Sequence, residues 1–182
     1  MKKFFVAMSA LCLFAAIGSN AMAGEKKMKA GVDAGVVVPI SSTWSDGAGM
    51  NVGALGVFEY QLDAKMTVTG RVGYLHGLAK DVSGIDSSLT MIPIYAGIKY
   101  YVMPNFYAAG EAGLTMMTFK AEGSFMGVSF DSSADETKLG LTAGVGYEMG
   151  NLDFRGNLLF PSIGDLGDYM GLMVTAGYRF GL

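Results

Sequence analysis

The chain has 182 residues, of which 51% are hydrophobic and 16% are charged, with 27 glycines and four prolines. Without the two lysines at positions 2 and 3, its 13 basic residues fall to 11 against 16 acidic ones, a net charge of −5. This balance argues against nucleic acid as a partner. The single cysteine, Cys12, lies in the amino-terminal apolar run, so the rest of the chain has no disulfide, thiol nucleophile or thiolate metal site available.

Residues 1–23 have the pattern of a secretory signal peptide. Two lysines precede an apolar run over residues 4–17, and Ala21-Met22-Ala23 matches the small-x-small cleavage pattern. The run is too short and wrongly flanked for a spanning helix. We therefore expect a mature chain of one domain, residues 24–182, that has been exported from the cytoplasm.

Beyond residue 24 the chain alternates with a period of two, and no apolar run approaches the ~20 residues of a membrane-spanning helix. The alternation predicts strands at about 29–38, 50–60, 66–76, 89–102, 106–119, 137–149, 152–160 and 169–181. The connections are alternately short (61–65, 103–105, 150–151) and long (39–49, 77–88, 120–136, 161–168). This pattern predicts an all-β fold, an eight-stranded antiparallel up-and-down transmembrane β-barrel with its long loops outside.

Each predicted strand has one apolar face. In the last strand Met170, Leu172, Val174, Ala176, Tyr178, Phe180 and Leu182 alternate with Gly171, Met173, Thr175, Gly177, Arg179 and Gly181. A soluble barrel of lipocalin type would turn the apolar face inward. An eight-stranded interior is only wide enough for side chains to fill it or for one small ligand, so that face would overfill it. We therefore expect the apolar face to meet lipid.

Aromatic side chains gather on the apolar face beside the short turns. They are Phe58, Tyr60, Tyr100, Phe106, Tyr147, Phe154, Tyr178 and Phe180. Amphipathic rings are favoured at membrane interfaces, so this set predicts a girdle at the periplasmic edge. Tyr74, His76 and Phe160 suggest a sparser girdle at the outer edge.

The final residues, Gly177-Tyr178-Arg179-Phe180-Gly181-Leu182, resemble the carboxy-terminal assembly signal of bacterial outer-membrane barrels, although they end on Leu rather than Phe. Residues 92–101 are also similar to these families. From Lys29 to Leu182 the chain resembles the small Gram-negative barrels of OmpA, OmpX and OmpW type. The resemblance implies an outer-membrane location, contact with lipid and lipopolysaccharide, insertion by the barrel assembly machinery through Gly177, Phe180 and Leu182, and no cofactor. A closed barrel has no free edge, so we expect a monomer.

The opposite face carries isolated charges. The expected inward set is Asp33, Glu59, Arg71, Lys99, Glu111, Lys138, Glu148, Arg155 and Arg179. Lys99 should lie level with or diagonal to Glu111, and Glu148 diagonal to Arg155, close enough for long side chains to pair. Two interpretations stay open: a paired network that fills the lumen, or a narrow water-filled pore. If a paired network fills the lumen, Glu111→Ala would leave Lys99 unpaired.

The long loops carry most of the remaining charge. Their carboxylates are Asp46, Asp81, Asp86, Glu122, Asp131, Asp135, Glu136, Asp165 and Asp168. They are either solvated or bind divalent cations shared with lipopolysaccharide. Trp44 and the stretch Phe125, Met126, Val128 and Phe130 suggest an exposed contact surface. Alternatively, residues 120–136 extend as a hairpin with Gly127 at its tip.

His76 is the only histidine and therefore the first candidate for a general base. Outer-membrane lipid A deacylases place a serine two residues after such a histidine, but this chain has Leu78 there. The sequence shows no motif of palmitoyl transfer and identifies no catalytic, cofactor or metal site. We therefore expect a structural or surface-interaction barrel without catalysis. A small ion or solute channel and a lipid-modifying enzyme are the alternatives.

Overall fold

The computed structural model describes residues 28–82, 85–125 and 128–182. The elements are β1 (Met28–Pro39), α1 (Ser42–Gly47), β2 (Asn51–Gln61), β3 (Met66–Gly77), β4 (Lys80–Val82), β5 (Ile85–Met103), β6 (Phe106–Phe125), β7 (Val128–Met149), β8 (Leu152–Phe160) and β9 (Gly171–Gly181). The expected signal peptide, residues 1–23, lies outside the described residues. Of the helices in the described ranges, none is long and apolar enough to cross a membrane.

Eight of the strands close into a barrel. Each pairs antiparallel with its neighbours in the order β1-β2-β3-β5-β6-β7-β8-β9, and β1 pairs with β9 from Lys29↔Gly181 to Pro39↔Gly171. β4 lies outside this ring and pairs with β5 over three residues. The predicted eight-stranded antiparallel barrel is therefore confirmed.

The short turns bring neighbouring strands back at one end of the barrel, which we call the short-turn end. Gly150 has a φ of 63° and Asn105 a φ of 71°, the left-handed conformation that Gly and Asn adopt most easily. The turn at Gly150 pairs Met149 with Leu152, as the residue parity predicts. A bulge between Tyr101 and Met103 shifts the register as β5 enters its turn.

The alternation places the apolar face outside, as expected. Val32, Leu114, Leu139 and Val174 are between 47% and 56% exposed, whereas their sequence neighbours on the other face are buried or half-buried. A Lys or Arg on the outward face would cost about 2–4 kcal/mol at the middle of a bilayer. All eight aromatics of the predicted girdle lie on this outward face. Six are 40–56% exposed, and Phe58 and Phe106 are half-buried.

The opposite end, the long-loop end, differs from the prediction. β6 and β7 remain paired out to Phe125↔Val128, whereas β8 ends where Phe160 pairs with Leu141. Residues 120–136 are therefore a strand hairpin rather than a loop, which confirms the hairpin alternative. Its tip, with Met126 and Gly127, lies outside the described residues, as do the side chains of residues 123–131. At ~3.3 Å per residue, the pairs beyond Met117↔Glu136 carry the hairpin about 26 Å further.

Candidate functional site

The interior of the barrel contains two layers of different chemistry. The layer near the long-loop end is apolar and almost fully buried. It consists of Val37, Trp44, Ala48, Leu55, Leu75, Leu89, Met91, Tyr95, Met117, Leu159 and Met173. The alternation predicts that the strand residues of this layer face inward. The interior is packed with large side chains on this side.

Trp44, on α1, covers the apolar layer at the long-loop end. It is 1% exposed, so the expectation that it forms an exposed contact surface is wrong. Its ring lies 6.5 Å from the ring of Tyr169, which in turn lies 6.0 Å from that of Phe119. Burial raises the pKa of the Tyr169 phenol, and the nearby carboxylates, Glu136 first, add to that effect.

The segment that carries Trp44 is attached to the loop between β8 and β9. The Ser41 hydroxyl donates to the carbonyl oxygen of Asp168 at 2.6 Å, and the Ile40 amide donates to Met170 O at 2.8 Å. Thr43 Oγ1 adds a hydrogen bond to the Asp168 carboxylate at 3.3 Å. The first and last long connections therefore hold one another over the mouth.

The layer toward the short-turn end is a chain of buried ion pairs. Each of the eight barrel strands supplies at least one member: Asp33, Glu59, Arg71, Lys99, Glu111, Glu148, Asp153, Arg155 and Arg179. Every one of these residues is at most 9% exposed. Buried charges are costly unless they are paired and hydrogen-bonded, so we expect these residues to pair with one another.

Glu111 is the member nearest the apolar layer. Its carboxylate accepts from Arg155 Nη1 at 2.8 Å and from Arg71 Nη1 at 3.3 Å. The hydroxyls of Thr69 and Thr142 donate to it at 2.9 and 3.2 Å. Four donors from three strands therefore hold one carboxylate.

Asp33 continues the chain toward the short-turn end. Arg71 Nη2 lies 3.0 Å from Asp33 Oδ2, and Arg179 Nη1 lies 2.5 Å from Asp33 Oδ1. Arg179 also contacts Glu59 Oε1 at 2.8 Å and Asp153 Oδ1 at 3.5 Å. Cations and carboxylates thus alternate along the lumen.

Lys99 ends the buried part of the chain. Its Nζ lies 2.7 Å from Glu59 Oε1, 3.0 Å from Glu148 Oε1 and 2.5 Å from Asp153 Oδ2. It also lies 4.3 Å from the ring centroid of Tyr107, a cation–π distance. Oxygens of the three carboxylates lie within 4.8 Å of one another, a spacing that a metal ion could use. The lysine ammonium takes the place of such an ion.

The expected partners within this set were wrong. Lys99 pairs in register with Ala109 and Glu111 with Gly97, so the two are diagonal neighbours, yet they bind different partners. Likewise Glu148 binds Lys99 and Lys29, whereas Arg155 binds Glu111. Glu111→Ala would therefore remove an ion-pair partner from Arg71 and Arg155, not from Lys99.

Lys138 does not join the buried chain. Its side chain is 39% exposed and lies 3.4 Å from Glu136 and 3.8 Å from Asp165 at the long-loop end. Asp153 was missed as a member, although it shares the inward face with Arg155, two residues away. Tyr107 and Tyr101 were also missed. They donate to Asp153 at 2.8 Å and to Glu148 at 2.6 Å.

Inward glycines make room for these large side chains. A Cβ on Gly177 would collide with the Asp33 carboxylate and lie 2.7 Å from Arg179 Nη1. A Cβ on Gly146 would collide with the Tyr107 hydroxyl. The abundance of glycine on this face therefore follows from the crowding of the lumen.

An open vestibule of about 530 Å³ lies at the short-turn end, beneath the ion-pair chain. Its lining is Lys29, Glu59, Gln61, Ala64, Lys65, Thr67, Tyr101, Val102, Met103, Pro104, Asn105 and Glu148. Lys29, 36% exposed, lies at its rim with Nζ 3.3 Å from Glu148 Oε2. The vestibule thus opens to solvent on one side and meets buried charge on the other.

His76 lies on the outward face. It is exposed, and its ring is stacked on that of Tyr74 at a centroid distance of 6.3 Å. Most of the long-loop carboxylates whose side chains are described are exposed, and Asp165 is half-buried. These positions suit an interfacial aromatic pair and a solvated acidic surface.

A comparison with protein-family models identifies the family of this closed barrel. The model for the outer membrane protein beta-barrel domain matches residues 9–180. The chain belongs to this family. Members of the outer membrane protein beta-barrel family lie in the outer membrane, and so does this protein.

Solved structures of the same architecture are similar in fold. The Ail protein of Yersinia pestis is 19% identical with a TM-score of 0.57, over 84% of this chain and 96% of Ail. The amino-terminal barrel of Pseudomonas aeruginosa OprF is 15% identical with a TM-score of 0.53, over 84% and 97%. A major outer membrane protein of Thermus thermophilus is 17% identical with a TM-score of 0.51, over 84% and 99%. A search of curated proteins found no match.

Proposed function

We propose that this outer membrane protein is a closed, non-catalytic barrel with a structural and surface-interaction role. The observation that carries the proposal is the filled interior. An apolar layer lies across the lumen at the long-loop end, and a chain of ion pairs that join all eight barrel strands lies across the rest. The two layers stabilise the barrel, and within the described part of the chain they block an aqueous path along the lumen.

The apolar layer is the part that opposes conduction. Leu55, Leu75 and Met173 are at most 1% exposed, and Trp44 closes the layer from above. An ion that passes between these side chains would lose its hydration without gaining a polar partner, which is very costly. The ion-pair layer adds a second obstacle because its charged groups are already paired with one another across the lumen.

The long-loop end supplies the interaction surface in this proposal. The hairpin of β6 and β7 rises beyond the barrel, and its described charges are mostly acidic. Ail has been solved in complex with the heparin analogue sucrose octasulfate, which is a polyanion. The acidic surface of this chain instead suits a neutral or cationic partner, or lipopolysaccharide through shared divalent cations.

A small channel is the second candidate function. The open vestibule of about 530 Å³ favours it, because one end of the lumen is already open. The channel would require both the apolar layer and the ion-pair chain to open.

Export and assembly complete the proposal. Residues 1–23 would direct secretion, which places the short turns and their aromatic girdle at the periplasmic edge and the hairpin outside. Gly177, Phe180 and Leu182 would be read by the barrel assembly machinery. Phe180 and Leu182 are 56% and 63% exposed, which supports such recognition.

Planar-bilayer recording of the refolded protein tests the proposal. We expect no stable conductance above that of protein-free bilayers, whereas reproducible channels would overturn the closed barrel and favour the second candidate. Lipid A from cells with and without the protein tests the non-catalytic role. Identical lipid A patterns are expected, and a modified species present only with the protein would contradict it.

A further inference from the structure

Glu59, which lines the vestibule at the short-turn end, has one carboxylate oxygen without a partner among the described residues. Glu59 is 1% exposed, and its Oε1 accepts from Lys99 and Arg179. Its Oε2 is buried and has no hydrogen-bond partner within the described ranges. An unpaired buried carboxylate oxygen is costly, so a donor at this position would be stabilising.

Glu148, which also lines the vestibule, shows that carboxylates here bind ammonium groups. Glu148 Oε1 lies 3.0 Å from the ammonium of Lys99, and Glu148 Oε2 lies 3.3 Å from that of Lys29. Three of the four carboxylate oxygens of Glu59 and Glu148 therefore already contact a lysine ammonium. Glu59 Oε2 is the fourth.

The buried chain itself has a small excess of negative charge. The buried chain contains four cations, Arg71, Lys99, Arg155 and Arg179. It contains five carboxylates, Asp33, Glu59, Glu111, Glu148 and Asp153, and thus a net charge of −1. Only the partly exposed Lys29 at the rim offsets the excess within the contacts described.

We propose that the vestibule binds a primary ammonium group, which donates to Glu59 Oε2. An ammonium has three N–H donors, and Thr67 and Gln61 also line the vestibule with acceptor oxygens. The volume of about 530 Å³ is far larger than the ~30 Å³ share of one water, so an attached alkyl chain fits. Val102, Met103 and Pro104 supply an apolar wall for that chain. A divalent metal is disfavoured because the ammonium groups of Lys99 and Lys29 would repel its two charges about twice as strongly as the single charge of an ammonium.

Two sources can present this group. One is a small free amine that enters from solution. The other is the chain itself, because Lys26 and Lys27 are close in sequence to Lys29 at the rim. Their shared chemistry is a primary ammonium, and the test separates them.

The test uses mature protein purified from membranes into micelles, with ¹³C-labelled methionine methyl groups. Met103 lines the vestibule and is 61% exposed, whereas Met149, also near the short turns and 56% exposed, is not part of the lining. Titration with n-propylammonium should shift the Met103 methyl resonance saturably and leave Met149 unchanged. The neutral n-propanol, matched in size, should produce no saturable shift, and neither should Mg²⁺.

Variants of Glu59 and Lys29 test whether the shift of the Met103 methyl resonance depends on these two residues. Glu59→Gln should weaken binding at least tenfold. Because this variant can also disturb the ion-pair chain, Lys29→Gln provides a second test at the rim. It removes the competing ammonium from Glu148 and should tighten n-propylammonium binding several-fold. Lys138→Gln, at the opposite end, should leave the affinity unchanged.

The double variant K26Q/K27Q distinguishes the sources. If the chain fills its own vestibule, this variant shifts Met103 without ligand and binds n-propylammonium more tightly than the wild type. If the occupant is a free amine, the variant and the wild type respond alike. The proposal is overturned if neither protein shows a saturable shift, or if n-propanol or Mg²⁺ reproduces it.

Discussion

Arg179 and Asp33 join the last strand of the barrel to the first through an ion pair of 2.5 Å between residues 146 positions apart. The pair lies at the β1–β9 seam, where Asp33 is opposite Gly177. It therefore couples the closure of the barrel to the buried charge chain, since Arg179 also contacts Glu59 and Asp153.

Removal of Arg179 should be strongly destabilising. Arg179→Met leaves three carboxylates short of a cation, and breaking a buried pair in this way costs about 3–5 kcal/mol. Urea unfolding of the refolded protein in micelles measures the change. Lys138→Met is the matched control because it breaks only exposed pairs, which contribute roughly 0–1 kcal/mol. Equal unfolding midpoints for the two variants would contradict the buried chain.

Glu111 should be coupled to Arg155 and not to Lys99. A double-mutant cycle with Glu111→Gln and Arg155→Met should give an interaction energy of about 0.5–3 kcal/mol, the range for direct partners. The parallel cycle with Glu111→Gln and Lys99→Met should give a clearly smaller value, because these residues have different partners. A larger coupling to Lys99 would restore the pairing expected from the sequence.

Gly177→Ala should impair folding at the seam. The added methyl group would collide with the Asp33 carboxylate and crowd Arg179, so the closing pair would have to move. Gly156→Ala is the matched control, since a Cβ there has no atom within 4 Å. We expect a lower yield of the heat-resistant, compact band on gels for Gly177→Ala only. Equal yields would show that the seam tolerates the methyl group.

Repulsion between like charges should destabilise the pairing of β4, β5 and β6 at the long-loop end. Asp86 on β5 is directly opposite both Asp81 on β4 and Glu122 on β6. Opposed like charges destabilise a strand pair, and salt screens them. Glu122→Gln should therefore slow amide exchange of residues 85–89 at low salt, and less so at high salt. Lys120→Gln, which removes a cation on the same face, should speed it. The same direction of change in both variants would contradict this account.

The fold follows from the sequence because strand alternation is local. In β9 the even positions from Leu172 to Phe180 are apolar and exposed, while Thr175 and Arg179 are buried, as parity requires. Turn chemistry is local as well, and Gly150-Asn151 fixes the register of β7 and β8. Each of these inferences needs only neighbouring residues.

The ion-pair partners could not be predicted because they depend on the width of the closed lumen. Lys99 on β5 reaches Glu59 on β2 and Asp153 on β8, across the barrel rather than along its wall. In a narrow barrel such residues are as near as diagonal neighbours, and strand pairing alone contains no information about them. The prediction that Trp44 is exposed was wrong for a similar reason, since only the folded mouth shows that this side chain turns inward.

Cysteine accessibility tests most directly whether the interior excludes water. Cys12 is the only cysteine and lies in the expected signal peptide, so residues 24–182 can be refolded with a single introduced thiol. Gln61→Cys, in the vestibule, should react at once with a charged, water-soluble thiol reagent. Met173→Cys, in the apolar layer, should react only after unfolding. Reaction of the folded Met173→Cys variant at a rate close to that of Gln61→Cys would show a water-filled lumen and contradict the closed barrel.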